Sequence, residues 1–236
     1  MTQALVFGAV FASVLMQTLT GFGSAMVAMA LLPYWIGLLV AAPLVALIAA
    51  TLEAVVLVRW RQALGWQAIK QLSVGMLVGV PFGVLALRHV DAAILLPILG
   101  ALIVGYSLYA LMNWRLPRLD DARWAYGAGL MAGLFGGAYN VSGPPVIVYG
   151  HCRRWSPAQF KGNLQAFFLL GDALVIAGHA AAGNLTRTVW ENYLLSLPAI
   201  ALGVACGLAL ERLIRPDAFR RAALVLLIAL GAGLLF

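Results

Sequence analysis

Eight apolar stretches, at about 4–36, 38–58, 70–87, 91–113, 124–150, 160–182, 190–210 and 218–236, follow one another with short polar breaks between them. The hydrocarbon core of a bilayer, about 30 Å thick, is spanned by about 20 helical residues rising about 1.5 Å each. Six of the stretches, 18 to 23 residues long, match one crossing. Water offers no alternative home, since 64% of the residues are hydrophobic and 10% charged, against about a quarter charged in soluble domains. The fold class is an all-α integral membrane protein. Soluble enzymes, nucleic-acid-binding modules and secreted disulfide scaffolds are set aside. Cys152 and Cys206 lack CxxC spacing, so neither a metal site nor a disulfide is indicated. The sequence carries no ATP-binding loop and points to no cofactor. The first 20 residues hold no Lys or Arg and the apolar run continues past residue 30, which argues against a cleavable signal peptide.

The stretches 4–36 and 124–150 are too long for one crossing. Thr20-Gly21-Phe22-Gly23-Ser24 interrupts the first, and Asn140-Val141-Ser142-Gly143-Pro144-Pro145 the second. Glycine lowers helical preference and proline removes a backbone donor. Each long stretch therefore reads as two short helices meeting at a break, a hairpin that returns the chain to the side it came from. The cations discriminate between hairpins and single crossings. With hairpins, Arg59, Arg61, Lys70, Arg115, Arg118, Arg123, Arg153, Arg154, Lys161, Arg212, Arg215, Arg220 and Arg221 share one side and Arg88 and Arg187 the other, thirteen against two. With single crossings the division is seven against eight. Only the first is a positive-inside bias, so the net charge of +7 marks a cytoplasmic face rather than a nucleic-acid partner, and both termini are predicted outside. Trp35, Trp60, Trp66, Trp114, Trp124, Trp155 and Trp190 all fall at or just past the end of a stretch, as an interfacial belt in membrane lipid requires.

The two halves repeat at an offset near 119. Gly21-Phe22-Gly23-Ser24 falls on Asn140-Val141-Ser142-Gly143 and Glu53 on Asp172; with small drifts, Gly79 and Gly83 fall on Gly203 and Gly207, and Arg88 on Arg212. The expected organisation is a first repeat over 1–113 (hairpin 4–36, helices 38–58, 70–87 and 91–113), a cytoplasmic linker at 114–123, and a second repeat over 124–236 (hairpin 124–150, helices 160–182, 190–210 and 218–236). A hairpin plus three crossings reverses sidedness, so the repeats have inverted topology, an arrangement of secondary transporters whose sites lie near the midplane at interrupted helices. Gly75, Gly79 and Gly83, echoed by Ala199, Gly203 and Gly207, give one small helix face each. Such faces favour packing within the bundle, with a homodimer contact left open.

The second limb of each hairpin would begin inside the membrane, near Gly23 and Ser24 in one half and near Ser142, Gly143 and Pro144 in the other. A helix N-terminus offers unpaired N–H groups and the positive end of a dipole, which suit an anion without a buried Lys or Arg. Ser142 reads as an N-cap, Pro144 as a first-turn residue, and Gly143 as a point of close ligand approach. Thr18, Thr20, Ser24, Tyr139 and Asn140 add side-chain donors, and Asn163 is a further candidate contact, although Asn163 and Gln165 also read as helix-to-helix glue. Glu53 and Asp172 are the acids well inside predicted helices, and an ionised carboxyl there costs about 2.5–3.5 kcal/mol. They are read either as proton-coupling groups or as protonated acids bonding a neighbouring helix.

Gly21-Phe22-Gly23-Ser24 after the first limb, and the run from Gly133 through Gly136-Gly137-Ala138-Tyr139-Asn140-Val141-Ser142-Gly143-Pro144-Pro145, resemble the TauE/SafE sulfite exporter family over the whole chain. The resemblance implies a multi-pass transporter of the bacterial inner membrane, in which the outside predicted for both termini by the cation count is the periplasm. Its partner would be a small inorganic or organosulfur anion, such as sulfite or an organosulfonate. The family's G-x-G-G(-P) pattern is partly kept: Ser24 replaces its last Gly in the first half, and Asn140 and Ser142 replace its first two in the second. Two other functions stay on the table at this point. One is a passive anion channel, and the other an intramembrane serine hydrolase using Ser142 with His179 as base, against which the repeat counterpart of Ser142 in Gly23 speaks.

Overall fold

The structure is a computed structural model that describes residues 2–20, 23–60, 65–112, 116–210 and 216–235. The described residues form eleven helices: α1 (Thr2–Thr20), α2 (Ser24–Leu31), α3 (Pro33–Ile36), α4 (Leu38–Trp60), α5 (Trp66–His89), α6 (Ala92–Met112), α7 (Arg123–Tyr139), α8 (Gly143–Cys152), α9 (Pro157–Ala181), α10 (Arg187–Leu210) and α11 (Pro216–Gly233). No strand occurs among them. By length and composition α1, α5, α6, α10 and the part of α9 from Gly162 to Ala181 are long and apolar enough to cross a membrane, with shorter apolar runs in α4 and α11.

Both long stretches break where Gly, Asn and Pro predict, between α1 and α2 and between α7 and α8. The limbs are not both short, however. The 19 residues of α1 and 17 of α7 rise about 28 and 26 Å, close to a full apolar thickness, whereas α2 and α8 rise about 12 and 15 Å. The reason lies in the sequence of each first limb, since neither 2–20 nor 123–139 contains a proline and the helix propagates up to the break. Capping is local and specific elsewhere. Ser156 and Gln159 form a reciprocal capping box, with Pro157 in the first turn, that starts α9 where the chain must turn back into the bundle.

The described chain divides into two compact units that exchange helices between the sequence halves. One comprises Met1–Ile48, Val90–Trp114 and Thr186–Phe236, the other Ala49–His89 and Arg115–Leu185, so α4 contributes to both. In the first unit α1 packs along α10 and α6 along α11, and α2 folds back on α1. In the second α5 packs along α7, α9 lies against both, and α8 folds back on α7 and α9. The broken-helix limb of each half thus pairs with the 24-residue helix of the other half.

Glycine decides both pairings. A Cβ added at Gly75, Gly79 or Gly83 of α5 would come within 3.0 Å of the backbone oxygens of Tyr126, Leu130 and Leu134, and one at Gly129, Gly133 or Gly137 of α7 would meet the oxygens of Leu72, Met76 and Val80 as closely. The glycine face is therefore spent inside the bundle, with backbone on backbone. On α10, Gly203 lies against Val14 and Gly207 against Thr18 of α1. In both pairs the residue numbers rise together, so the paired helices run parallel.

That parallel course fixes which helix ends lie together within the second unit. The starts of α5 and α7 share one end, where the Gly65 N–H donates to Asn163 Oδ1 at 2.6 Å. The two limbs of the hairpin also return to a common level, since the Leu119 N–H donates to the Cys152 carbonyl at 3.2 Å, and Arg153 donates to the carbonyls of Leu119 and Asp120 at 2.9 and 2.8 Å. Arg154 donates to Leu116 O at 3.0 Å. A single crossing would hold the residues before α7 and after α8 about 30 Å apart. At the opposite end of α5, Arg88 donates to the Ala182 carbonyl. Arg88 thus lies at the other end of α5 from Arg118, Arg153 and Arg154. Trp66, Trp124 and Trp190 are exposed in the first turns of α5, α7 and α10, while Trp155 sits edge-on to Tyr149 with ring centres 5.8 Å apart.

Candidate functional site

In the first unit, α1 ends at Thr20 and α2 begins at Ser24 after Gly23, whose φ of 98° lies in the left-handed region that glycine tolerates. Gly21 lies outside the described residues. The hydroxyls predicted to face a ligand are mostly committed to the protein. Thr18 and Thr20 each donate their one proton to a carbonyl of their own helix, Val14 O and Met16 O, at 2.8 Å. Ser24 donates its hydroxyl proton to Gln17 Oε1, which also accepts the Ser24 backbone N–H at 3.3 Å. Gln17, one turn before the break, was not singled out by its sequence. It lies in an apolar run where a lone amide reads as incidental, and only the fold-back of α2 shows what it meets.

In the second unit, α7 closes on Asn140, a non-glycine residue in the left-handed region with φ 53° and ψ 26°. Asparagine is among the few residues that take this conformation at low cost. The Asn140 N–H donates to Gly136 O at 2.7 Å and the Val141 N–H to Phe135 O at 3.2 Å, which satisfies carbonyls at the end of α7. Gly143 opens α8 and the prolines that follow occupy its first turn, as expected of residues with no N–H to lose. Ser142 departs from expectation. Its backbone is helical rather than extended (φ −80°, ψ −12°) and its side chain makes no capping bond. Ser142 packs against Gly136, and Phe168 of α9 lies 3.5 Å from where a Cβ on Gly143 would stand.

The break is joined to both intramembrane acids. The Asp172 carboxyl on α9 bonds to the side chains of Asn140 and of Glu53 on α4. Asp172 and Glu53 are each 4% exposed. Two carboxyl groups hydrogen-bond to each other only with a proton between them, because an ionised carboxylate accepts and cannot donate. Asn140 ties the acid pair to the backbone turn that starts the return limb. Neither the link from residue 140 to residue 172 nor the pairing of two different helices could be read from spacing.

Asn163 is placed elsewhere. Its carboxamide holds Gly65 ahead of α5, the gluing role that the sequence left open for it. His179, expected at the interface, is fully buried, and its Nδ1 lies 3.1 Å from Asn184 Nδ2, a bond that ties the end of α9 to the turn after it.

The profile of the family described as Sulfite exporter TauE/SafE matches residues 5–234. The chain is 28% identical over 226 residues to the probable sulfite/organosulfonate exporter TauE of Cupriavidus necator, covering 93% of this chain and 88% of that protein. It is 30% identical over 171 residues to the probable inner membrane transporter protein TsaS of Comamonas testosteroni, covering 72% of each. No solved structure matches it. Transport rather than hydrolysis is the business of these proteins, so the reading of Ser142 as a nucleophile falls away. With a matching profile over nearly its whole length, broken helices where the family motif stands, and apolar helices throughout, the chain belongs to the TauE/SafE family of membrane transporters.

Proposed function

We propose that this chain is a secondary transporter that exports small sulfur-containing oxyanions, such as sulfite or organosulfonates, across the inner membrane. Within each unit an anion is held where the short return limb begins, at Gly23 and Ser24 in the one and at Asn140, Ser142, Gly143 and Pro144 in the other. Backbone N–H groups and the positive ends of α2 and α8 neutralise its charge. The two halves act as inverted repeats, the arrangement in which such helix ends serve anionic substrates. The description of the family and the name of the Cupriavidus necator relative support the substrate class, and the name of the Comamonas testosteroni relative supports the membrane.

The observation that carries the reading is the bond from Asn140, at the break itself, to the buried Asp172–Glu53 carboxyl pair, which we read as sharing a proton. A proton held one side chain from the anion-facing turn can be given up or taken back as the anion comes and goes, which links the two movements. Counterflow tests carrier against pore. Proteoliposomes loaded with unlabelled sulfite are expected to accumulate radiolabelled sulfite transiently above its external level. Simple equilibration without overshoot would mark a passive channel.

A further inference from the structure

Gln17 is 4% exposed and faces the first residue of α2. The orientation of its amide is fixed by chemistry, because the Ser24 backbone N–H can only donate and so Oε1 is the atom that meets it. The Ser24 hydroxyl donates to that same oxygen. The other end of the amide, Nε2, is buried with two hydrogens and no partner. A buried donor left unpaired costs free energy and calls for an explanation. The neighbouring hydroxyls of Thr18, Thr20 and Ser24 have each donated their proton within the protein. At this break the side-chain donor with hydrogens to spare is therefore Gln17 Nε2, held at a helix N-terminus by the other atom of its own amide.

We propose that Gln17 is a substrate-binding residue whose Nε2 donates to an oxygen of the transported oxyanion at the start of α2. The inference rests on the transport function proposed above and adds to it a residue that the family motif does not contain. The anion would complete a chain in which Ser24 orients Gln17 and Gln17 orients the anion. A neutral amide suits this task in an apolar interior, since it supplies directed donors without the cost of a buried cation. The counterpart of Gln17 at the offset of 119 is Gly136, which has no side chain, so the break of the second unit offers no equivalent donor.

Two substitutions separate binding from bracing. Gln17→Glu keeps an oxygen that accepts both Ser24 bonds and, once ionised at alkaline pH, presents the anion with a second acceptor in place of a donor. Gln17→Met keeps the length and removes both functions. Each variant and the wild type are purified, checked for a monodisperse elution profile, and assayed for radiolabelled sulfite flux in proteoliposomes. In Gln17→Met the KM for sulfite is expected to rise about tenfold or more, the worth of a hydrogen bond to a charged partner, with kcat within about twofold. Gln17→Glu is expected to lose transport at alkaline pH, where its carboxyl ionises, although α2 remains braced. Wild-type KM in Gln17→Met, which has no hydrogen to donate, would overturn the proposal. A wild-type protein that moves no sulfite would overturn the transport reading itself, and this inference with it.

Discussion

Asn140 joins two tasks in one residue. Its backbone takes the left-handed turn that ends α7, and its side chain reaches the Asp172–Glu53 pair. Substitutions can divide these tasks. Asn140→Gly keeps the turn and loses the link, whereas Asn140→Ala loses the link and strains the turn by about 1–2 kcal/mol. Thermal melting in detergent should accordingly place the Ala variant below the Gly variant. The proton on the carboxyl pair makes a separate prediction. Asp172→Asn preserves size and a bond to Asn140 but removes an exchangeable proton. Sulfite counterflow is expected to persist in this variant while its flux stops responding to an imposed pH gradient, and an undiminished response would show that the coupling proton lies elsewhere. Asp172 was legible as a candidate because a carboxyl amid apolar residues is costly. Its partners were not, because they lie 32 positions before it at residue 140 and on another helix at residue 53.

The elements were legible where their signals are local. Gly, Asn and Pro located both breaks, and the cation count required each broken stretch to double back, as the bonds between Leu119, Cys152 and Arg153 show for α7 and α8. The unequal limb lengths were not legible, since an apolar run gives the total length of a hairpin without the depth of its turn. The glycine faces were visible as a four-residue spacing, but which helix fills them depends on the fold. In the structure α5 fits α7 so closely that a single methyl group has no room. Gly79→Ala is expected to destabilise the protein by about 1–3 kcal/mol through forced separation of the two helices. Gly105→Ala and Gly127→Ala, where an added Cβ meets nothing within 4 Å, should instead be neutral or stabilising by up to about 1 kcal/mol from helix propensity. Melting temperatures of the three variants side by side check the contrast; equal shifts would mean that the α5–α7 contact is looser than described.

At the scale of the whole molecule, the sequence divides into halves and the structure into units that mix them, each built on a parallel pair of helices drawn from both halves. Sidedness is the property that the count of thirteen cations against two predicts for the entire chain. In a background with Cys152 and Cys206 replaced by Ala, a membrane-impermeant thiol reagent added to intact cells should modify Arg187→Cys and spare Arg118→Cys. The reverse pattern would place the termini in the cytoplasm. The central claim is that this chain carries a sulfur oxyanion in a cycle linked to a proton held beside a broken helix. Its most direct test is sulfite flux in proteoliposomes under an imposed pH gradient with the membrane voltage clamped. The account predicts that the gradient alone drives net sulfite movement and that its reversal reverses the flow; net flux that ignores the gradient would contradict it.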